Sequence, residues 1–177
     1  VHPDGHGVLF TRDVPDTSLM WNLEFLAFDG DGEPSTILAN DGYGGRYSPN
    51  GRWIAYGGYT ADRWEVFVMP AGGGPRKWQI TTSGAVWPQW QPDGRRLFVQ
   101  SSGNKASFFE VETGGSSFQF GTLTEVMPVD DLSPTGVPFD IHPDGKRMVQ
   151  AGPDPSVNLD RVSPIHFVTD WRRALAR

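Results

Sequence analysis

Histidine side chains are the first candidates for chemistry in this chain, because imidazole nitrogens are common ligands of zinc and other transition metals. The chain has four histidines and no cysteine. His2 and His142 stand at the same place in two copies of a repeated segment, and the other two copies have Ser48 and Gln91 there. A position that accepts His, Ser or Gln is typical of a residue beside a turn, so we expect a structural role for both histidines.

The remaining histidines and the clustered carboxylates also favour structure over metal binding. His6 lies beside the first turn and His166 on a predicted strand, and we assign neither a short-spaced partner, so zinc is not expected. The segment FDGDGE (28–33) has acidic residues at alternate positions, as a calcium loop does. However, Pro34 and Asn40 stand where an EF-hand loop has Gly and Glu. Asp-Gly between alternating strands instead predicts a hairpin turn, and we predict no metal or other cofactor.

The glycine cluster AGGGP (71–75) would suit a phosphate if a helix followed it. It lies between two predicted strands, so a hairpin turn is the expected structure. The chain has neither the Gly-rich loop, HRD-type loop and DFG motif of a protein kinase nor the G-x-S-x-G elbow of a hydrolase. We therefore expect this chain to be non-catalytic.

The turn beside these residues recurs four times along the chain. The turn prolines Pro3, Pro49, Pro92 and Pro143 are 46, 43 and 51 residues apart, and a period of about 40–50 residues is typical of β-propeller blades. In each copy, Pro, Gly and Asn or Asp indicate a turn, and the apolar run that follows predicts a strand. The copies are VHPDGHGVLF (1–10), YSPNGRWIAY (47–56), WQPDGRRLFV (90–99) and IHPDGKRMVQ (141–150).

Each copy continues in the same order, which predicts a four-stranded antiparallel meander. Second strands are predicted at 8–10, 53–56, 97–100 and 148–150, third strands at 21–28, 64–70, 107–113 and 164–170, and fourth strands at 35–38, 77–81 and 117–123. The blades should stack because each sheet has two apolar faces that only its neighbours can cover. The predicted fold is an all-β propeller in one region, 1–177, with approximate blades 1–40, 41–83, 84–128 and 129–177.

The two ends of the predicted propeller are incomplete. The first copy begins at the end of its inner strand, the strand that precedes the turn. The last copy ends after its third strand with DWRRALAR (170–177), which predicts a short helix or a tail. We expect further blades upstream of Val1, and closure of four blades is the alternative. An open arc exposes sheet faces and strand edges, so self-association or contact with the missing blades is predicted.

Charge and hydropathy narrow the classes of partner. The formal net charge is −6, whereas nucleic acids and anionic membranes require a basic face. No apolar run approaches the roughly 18–20 residues that a membrane span needs. We therefore predict no nucleic-acid partner and no membrane span. The basic residues that follow the turns lie on separate blades and are expected to be solvated or paired with turn aspartates: Arg52, Arg95, Arg96, Lys146 and Arg147.

The repeat has the pattern Φ-x-P-[DN]-G-[KR]-x-Φ-Φ, in which Φ is an apolar residue, followed by a strand and hairpin such as WEVFVMPAGGGPRKWQIT (64–81). This repeat resembles that of TolB-type six-bladed propellers. The resemblance covers the whole chain, although the first blade departs from it at GHGVLF (5–10) and RDVPDTSLM (12–20). Residues 64–177 more closely resemble the C-terminal propeller of many bacterial serine/threonine protein kinases. The segments that carry this likeness are 64–99, SGNKASFFEVETGGSSFQFGTLTEV (102–126), FDIHPDGKRM (139–148) and PIHFVTDWRRAL (164–175).

This resemblance implies a non-catalytic sensor or protein-interaction module, the C-terminal part of a larger bacterial signalling protein such as a propeller-bearing kinase. It also implies a periplasmic or extracytoplasmic location. One alternative is a TolB-like periplasmic scaffold that binds a lipoprotein or another protein. A second alternative is the propeller half of a prolyl-oligopeptidase-type hydrolase, where the propeller gates the substrate.

The mouth of the propeller channel is the expected binding surface, since loops on a rigid scaffold carry much binding function. A protein, a peptide or a small ligand is the expected partner, and the alternative is that these are ordinary loop and packing residues. The residues predicted at this rim are Tyr43, Arg46, Asp62, Arg63, Trp87, Gln89 and Phe139, with Asn104 and Lys105 close by. The aromatic residues predicted to pack between blades are Trp53, Trp64, Phe67, Trp78, Phe98, Phe108 and Phe109.

Overall fold

A computed structural model describes residues 1–15, 20–128, 139–144 and 146–150 of the chain. This part of the chain contains β-strands and no helix, which confirms the all-β prediction. The third strand predicted at 164–170 and the helix predicted near the C-terminus lie outside the described residues. The strands are β1 (Gly7–Asp13), β2 (Trp21–Ala27), β3 (Ser35–Leu38), β4 (Tyr43–Tyr47), β5 (Trp53–Tyr59), β6 (Trp64–Pro70), β7 (Trp78–Gln79), β8 (Ala85–Trp90), β9 (Arg96–Ser101), β10 (Lys105–Glu112), β11 (Gln119–Phe120), β12 (Thr124–Pro128), β13 (Phe139–Ile141) and β14 (Met148–Gln150).

The strands form antiparallel sheets in chain order. The first sheet has the order β1-β2-β3, the second β4-β5-β6-β7, and the third β8-β9-β10-β11, with β12 also paired to β10. A further sheet pairs β13 with β14. Apart from β12, each strand within a sheet pairs with the next one along the chain, and this is the meander of a propeller blade.

Neighbouring sheets stack face to face because successive side chains of a strand point to opposite faces. In β5, Trp53 and Ala55 belong to a buried cluster shared with the third sheet. Between them in sequence, Ile54 and Tyr56 belong to a cluster shared with Leu23 of the first sheet. The second sheet is therefore covered on both faces, as the repeat predicts.

The predicted packing aromatics mostly lie in these clusters. Trp53, Phe67, Phe98 and Phe109 are buried, and Trp78 packs against the cluster between the second and third sheets. Phe108 packs against a third cluster, formed by Phe98, Ala106 and Phe139. This third cluster joins the third sheet to β13 and β14.

Polar contacts also link the turn of the second sheet to the β10–β11 turn of the third sheet. The Trp53 indole Nε1 donates to the carbonyl of Thr113 at 2.9 Å, and Asn50 Nδ2 donates to the same carbonyl at 3.0 Å. Arg52 donates to the carbonyl of Gly114 at 2.5 Å. One of the recurring basic residues thus contacts the neighbouring blade instead of a turn aspartate.

The outer strands are shorter or more broken than predicted. The outer strand of the third sheet is predicted at 117–123, but only Gln119–Phe120 (β11) of this range forms a strand. A further strand, β12, begins after the predicted end at Thr124, and both β11 and β12 pair with β10. In the second sheet, β7 covers only two residues of the predicted 77–81. The reason is local, because the Thr81 hydroxyl accepts the hydrogen bond from the backbone N–H of Val66 at 2.8 Å and so replaces a strand carbonyl.

A buried carboxylate fixes the segment that leads from the second sheet to the third. Glu65, only 1% exposed, accepts a hydrogen bond from the Thr81 hydroxyl at 2.5 Å and one from the backbone N–H of Gly84 at 3.0 Å. Both bonds satisfy polar groups that the close packing of the sheets keeps from water. Glu65 therefore positions the entry into β8.

Candidate functional site

The inner strands of the second and third sheets carry an irregularity at the same place. The pairing register shifts between Tyr43 and Arg46 in β4, and between Val86 and Gln89 in β8. In each strand two residues then lie opposite one residue of the neighbouring strand, which is the arrangement of a β-bulge. Bulges change the direction in which side chains point, and they are frequent beside functional sites.

Trp87 adopts a backbone conformation in its bulge that suits glycine. Its φ is 55°, close to the φ of 64° at Gly44, the equivalent residue of β4. A non-glycine residue held in this region costs on the order of 1–3 kcal/mol, and such residues cluster at functional sites. The Trp87 side chain is half-buried, so part of a large aromatic surface remains open to solvent at a strained position.

Trp87 is one of five aromatic residues that we call the aromatic rim: Trp21, Tyr43, Tyr59, Trp64 and Trp87. The ring of Tyr43 lies 5.3 Å from that of Trp87 and 5.2 Å from that of Trp21, measured between centroids. Trp64 lies 5.3 Å from Trp21 and 5.4 Å from Tyr59. Four of the rings are half-buried, and Tyr59 is 41% exposed. The first three sheets thus present a continuous aromatic surface at one edge.

The loop between β5 and β6 adds an ion pair beside the aromatic rim. Arg63 contacts Asp62 through two hydrogen bonds, Nε to Oδ1 at 3.0 Å and Nη2 to Oδ2 at 2.6 Å. The hydrogen bond from Arg63 holds the pKa of the Asp62 carboxyl below its usual value. The two charges offset each other, so this part of the edge has little net charge.

A small cleft opens next to this loop. Its volume is about 230 Å³, and it separates Arg63 and Trp64 from the start of β8 and the loop between β9 and β10. The residues that line it on the far side include Ala85, Val86, Gln100 and Asn104. The cleft lies beside the aromatic rim and enlarges the surface that a partner can contact.

Most of the predicted rim residues lie together at this edge. Tyr43 and Trp87 belong to the aromatic rim, and Asp62 and Arg63 flank it. Asn104 lines the adjacent cleft. The structure therefore places residues from two separate loops and two inner strands beside one another.

The other three predicted rim residues, Arg46, Gln89 and Phe139, neither belong to the aromatic rim nor line the adjacent cleft. Arg46 is exposed on β4, and its carbonyl accepts a hydrogen bond from the Trp90 indole at 3.0 Å. Gln89 and Phe139 are only 8% and 1% exposed, so the expectation of an accessible rim position is wrong for both. Phe139 packs with Phe98 in the cluster that joins β13 to the third sheet.

Three members of the aromatic rim are missing from the sequence-based prediction. Trp64 was assigned to packing between blades and Trp21 to no site, whereas both lie in the rim. The available signal was their position, because each is the first residue of a third strand, next to a loop on the channel-mouth side. Tyr59 was missed because the strand β5 extends three residues beyond its predicted end.

The expectation that His6 has no short-spaced partner is wrong. His2 and His6 are four residues apart, and the turn brings their ring centroids to 4.2 Å. Both Nδ1 atoms contact the same carboxylate oxygen of Asp4, at 2.5 Å for His2. The hydrogen bond from His6 is the main cause that lowers the pKa of Asp4 to about 2. This cluster lies on the turn side of the sheets, away from the aromatic rim.

The acidic segment 28–33 and the glycine cluster 71–75 form turns, as predicted. The first joins β2 to β3, and the backbone N–H of Glu33 donates to Asp31 Oδ1 at 3.1 Å. The second joins β6 to β7. Within the part of the chain that the structure describes, the carboxylates of 28–33 do not converge as a metal-binding group does.

A larger cleft of about 770 Å³ lies on the third sheet, on the side of its turns. Charged residues line much of it, and two of them, Arg96 and Glu110, approach each other to 3.8 Å. The guanidinium of Arg96 also lies 4.5 Å from the centre of the Phe108 ring. None of the predicted rim residues lines this cleft. The cleft is therefore separate from the candidate site, although it is larger than the cleft beside Arg63.

Comparison with known proteins relates the fold to solved structures. No protein-family model matches the chain, and no curated protein matches it. The chain is similar to TolB from Acinetobacter baumannii, with a TM-score of 0.62 and 15% identity over 88% of this chain and 37% of that one. It is also similar to a candidate TolB protein from Agrobacterium tumefaciens, with a TM-score of 0.53 and 17% identity over 72% of this chain and 49% of that one.

The chain has a TolB-like β-propeller fold. It spans less than half the length of either of these structures. Identities of this size show the fold and leave the activity to be argued from the residues. Within the described residues, no helix has the length and apolar character needed to cross a membrane.

Proposed function

We propose that this chain is a protein-interaction propeller module that binds a protein or peptide segment at the aromatic rim. The observation that carries the proposal is Trp87, which has a strained, glycine-like φ of 55° in the bulge of an inner strand and contacts Tyr43. Packing alone does not require a large side chain there, since Gly44 fills the equivalent place in the second sheet. Recognition by Trp87 gives a reason for the strain.

The composition of the surface suits a protein partner. Trp and Tyr are enriched among the residues that dominate binding energy, because each offers a large rigid surface at a low cost in side-chain entropy. The Asp62–Arg63 pair lies at the border of the aromatic surface, where polar residues usually surround an interface. The TolB-like fold supports the proposal by analogy, because its rigid blades hold loops from several units in one place.

A peptide-display selection against the 177-residue chain tests the proposal. We expect enrichment of related peptides that bind the wild type in calorimetric titration. Trp87→Gly and Tyr43→Ala should each weaken this binding by at least about tenfold, as loss of an aromatic anchor typically does. The control is Phe120→Ala, because Phe120 is also an exposed aromatic residue (40%) but lies on the outer strand of the third sheet.

Two results would count against the proposal. The first is a selection that enriches no common peptide on the folded chain. The second is peptide binding that Phe120→Ala reduces as strongly as Trp87→Gly does, because the surface used would then be a different one. Circular dichroism of each variant checks that the sheets remain folded.

We also infer a wider context, a bacterial signalling protein in which this propeller is the sensor and a serine/threonine kinase is the output domain. The support is the resemblance of residues 64–177 to the propeller of such kinases. The complete open reading frame tests it, with a kinase domain and a membrane span expected upstream of residue 1. A small α/β domain upstream would favour the TolB-like scaffold, and a catalytic hydrolase domain would favour the peptidase alternative.

A further inference from the structure

The first turn of the chain gathers two imidazoles around one carboxylate. The backbone N–H of His2 donates to the carbonyl of Gly7, and the N–H of Gly5 donates to the carbonyl of His2, both at 2.9 Å. Inside this turn the Nδ1 atoms of His2 and His6 contact Asp4 Oδ1, and the backbone N–H of His6 also donates to it at 3.1 Å. The metal-ligating atoms of these three side chains all lie within 4.8 Å of one another, and among the described residues this is the group of His and acidic side chains that could hold a metal ion.

Aromatic residues pack against both imidazole rings, and they enclose His2 more fully than His6, whose side chain is 45% exposed. The ring of His2 lies 4.6 Å from that of Tyr47, edge to face, and the ring of His6 lies 5.2 Å from that of Phe25. The His2 side chain is only 17% exposed, and a Cβ atom at Gly51 would lie 3.1 Å from its ring. Side chains that packing already orients lose little further freedom when they bind an ion.

The other turns of the same chain show that the turn does not need the histidines. Ser48, Asn50 and Arg52 occupy the corresponding places in the second sheet, where the N–H of Gly51 donates to the carbonyl of Ser48 at 2.8 Å. The third copy has Gln91, Asp93 and Arg95, and the fourth has His142, Asp144 and Lys146. All three carry a basic residue at the last of these places, whereas the first turn has His6. Here alone among the four copies, the turn combines two imidazoles with the carboxylate.

Two imidazole nitrogens and one carboxylate oxygen favour borderline transition metals over calcium or magnesium, which prefer oxygen ligands. Donors of a tetrahedral zinc ion with bonds of about 2.0–2.1 Å lie roughly 3.3 Å apart. The contacts of Asp4 with the two Nδ1 atoms are shorter than this spacing, and the Asp4 side chain, 61% exposed, has room to rotate away from both rings. We propose that His2, Asp4 and His6 form a binding site for a divalent transition metal of the zinc class, with the remaining coordination position open to water.

Zinc titration of the tag-free, chelator-treated 177-residue chain tests the site directly. Calorimetry should show one equivalent of Zn²⁺ bound, and Co²⁺ should give a visible absorption band typical of nitrogen and oxygen ligands. His6→Lys introduces the residue that the fourth turn has, and Asp4→Asn introduces the residue that the second turn has. Both variants should keep the turn and weaken Zn²⁺ binding by at least about tenfold, because each loses a ligand.

The matched control is His142→Lys, which changes the equivalent histidine of the fourth turn and should leave Zn²⁺ affinity unchanged. The amino group of Val1 is present in every variant, so binding by that group and His2 alone would persist in His6→Lys. Absence of saturable Zn²⁺ binding in the wild type overturns the proposal, and so does equal affinity in the wild type and both variants. Peptide binding at the aromatic rim is a separate measurement, so either proposal can fail without the other.

Discussion

Buried polar side chains of the second sheet differ in whether they have a partner. The carboxylate of Glu65 accepts hydrogen bonds from the Thr81 hydroxyl and the Gly84 backbone. Tyr56 is fully buried, but its hydroxyl has no partner within the described residues. Removing a satisfied acceptor leaves buried donors unpaired, whereas removing an unpaired hydroxyl removes a desolvation cost. Substitutions at the two residues should therefore change stability in different ways.

Glu65→Ala should lower the free energy of unfolding by about 1–3 kcal/mol, because the Thr81 hydroxyl and the Gly84 N–H lose their acceptor. Glu65→Gln should cost less, since the amide oxygen can still accept one of these bonds. Urea unfolding followed by circular dichroism measures both values. Glu110→Ala is the control, because the Glu110 side chain is largely exposed and should change stability by less than about 0.5 kcal/mol. Equal effects of Glu65→Ala and Glu110→Ala would contradict the assigned role.

Tyr56→Phe should leave stability at neutral pH unchanged or slightly raised. Burial, with a smaller contribution from the charge of Asp41, raises the pKa of Tyr56 in the folded state. In the unfolded chain the tyrosine ionises near pH 10. Stability that depends on the neutral hydroxyl is thus fully present below pH 10 and is lost as pH rises toward the folded pKa.

The alkaline decrease in melting temperature should therefore be smaller in Tyr56→Phe than in the wild type. Thermal melts at pH 8 and pH 11 measure it. Burial also raises the pKa of Tyr47, so part of the decrease should remain. Tyr59→Phe serves as the control, because it removes the same hydroxyl group from an exposed tyrosine. An identical decrease in Tyr56→Phe and the wild type would show that Tyr56 ionises freely in the folded chain.

The inner strands show how one structural element can carry both packing and recognition. Gly45 lies in the bulge of β4, where a Cβ atom would approach the side chain of Leu9 to 2.8 Å. Gly44 beside it has a positive φ. The corresponding residues of β8 are Trp87 and Pro88, so the same bulge holds small residues in one blade and large ones in the next. The bulge is thus compatible with glycine, yet β8 has Trp87 at the position that Gly44 fills in β4.

Trp87→Gly should be more stable than Trp87→Ala by about 1 kcal/mol, because glycine adopts a φ near 55° without strain and alanine does not. This order is the reverse of the usual one, in which glycine weakens a strand more than alanine does. The adjacent pair Val86→Gly and Val86→Ala is the control and should show the usual order, since φ at Val86 is not positive. Chemical unfolding of the four variants gives the comparison. If Trp87→Ala is the more stable member of its pair, the backbone strain assigned to Trp87 is wrong.

The strands were largely predictable from the sequence, whereas the bulge was not. Turn residues and alternating apolar residues act over a few positions, so β2, β6 and β14 lie within one residue of their predicted bounds. A bulge depends on the register between two strands and on the neighbouring sheet, and nothing in the sequence around Trp87 indicates its φ. The burial of Phe139 likewise depends on the third sheet. The four-residue spacing of His2 and His6 can be read from the sequence, but the close approach of their rings depends on the shape of the turn.

At the scale of the whole molecule, the sheets contact one another in chain order. The first sheet shares a buried cluster with the second, and the second shares another with the third. Such an array approximates a sum of blade stabilities and nearest-neighbour interfaces. A defect at one interface should then affect the adjoining blades more than distant ones. The arrangement also means that the second sheet, covered on both faces, should be more stable than the first.

Leu23→Ala tests this nearest-neighbour behaviour. Leu23 is fully buried between the first and second sheets, where it contacts the inner strand at Gly45. Truncating a buried leucine typically costs about 2–5 kcal/mol through lost burial and the cavity that remains. Hydrogen–deuterium exchange should show reduced protection in β1 and β2, while β9 of the third sheet keeps most of its protection.

The matched variant is Val99→Ala in β9, a buried residue of the cluster between the second and third sheets. Val99→Ala should reduce protection in β5 and β9 and leave β1 less affected, because the interface that it weakens is the other one. Opposite patterns in the two variants would establish that each blade depends mainly on its neighbours. A uniform loss of protection across all sheets in both variants would instead mean that the blades unfold as one cooperative unit, and binding at the aromatic rim would then depend on the stability of the whole array.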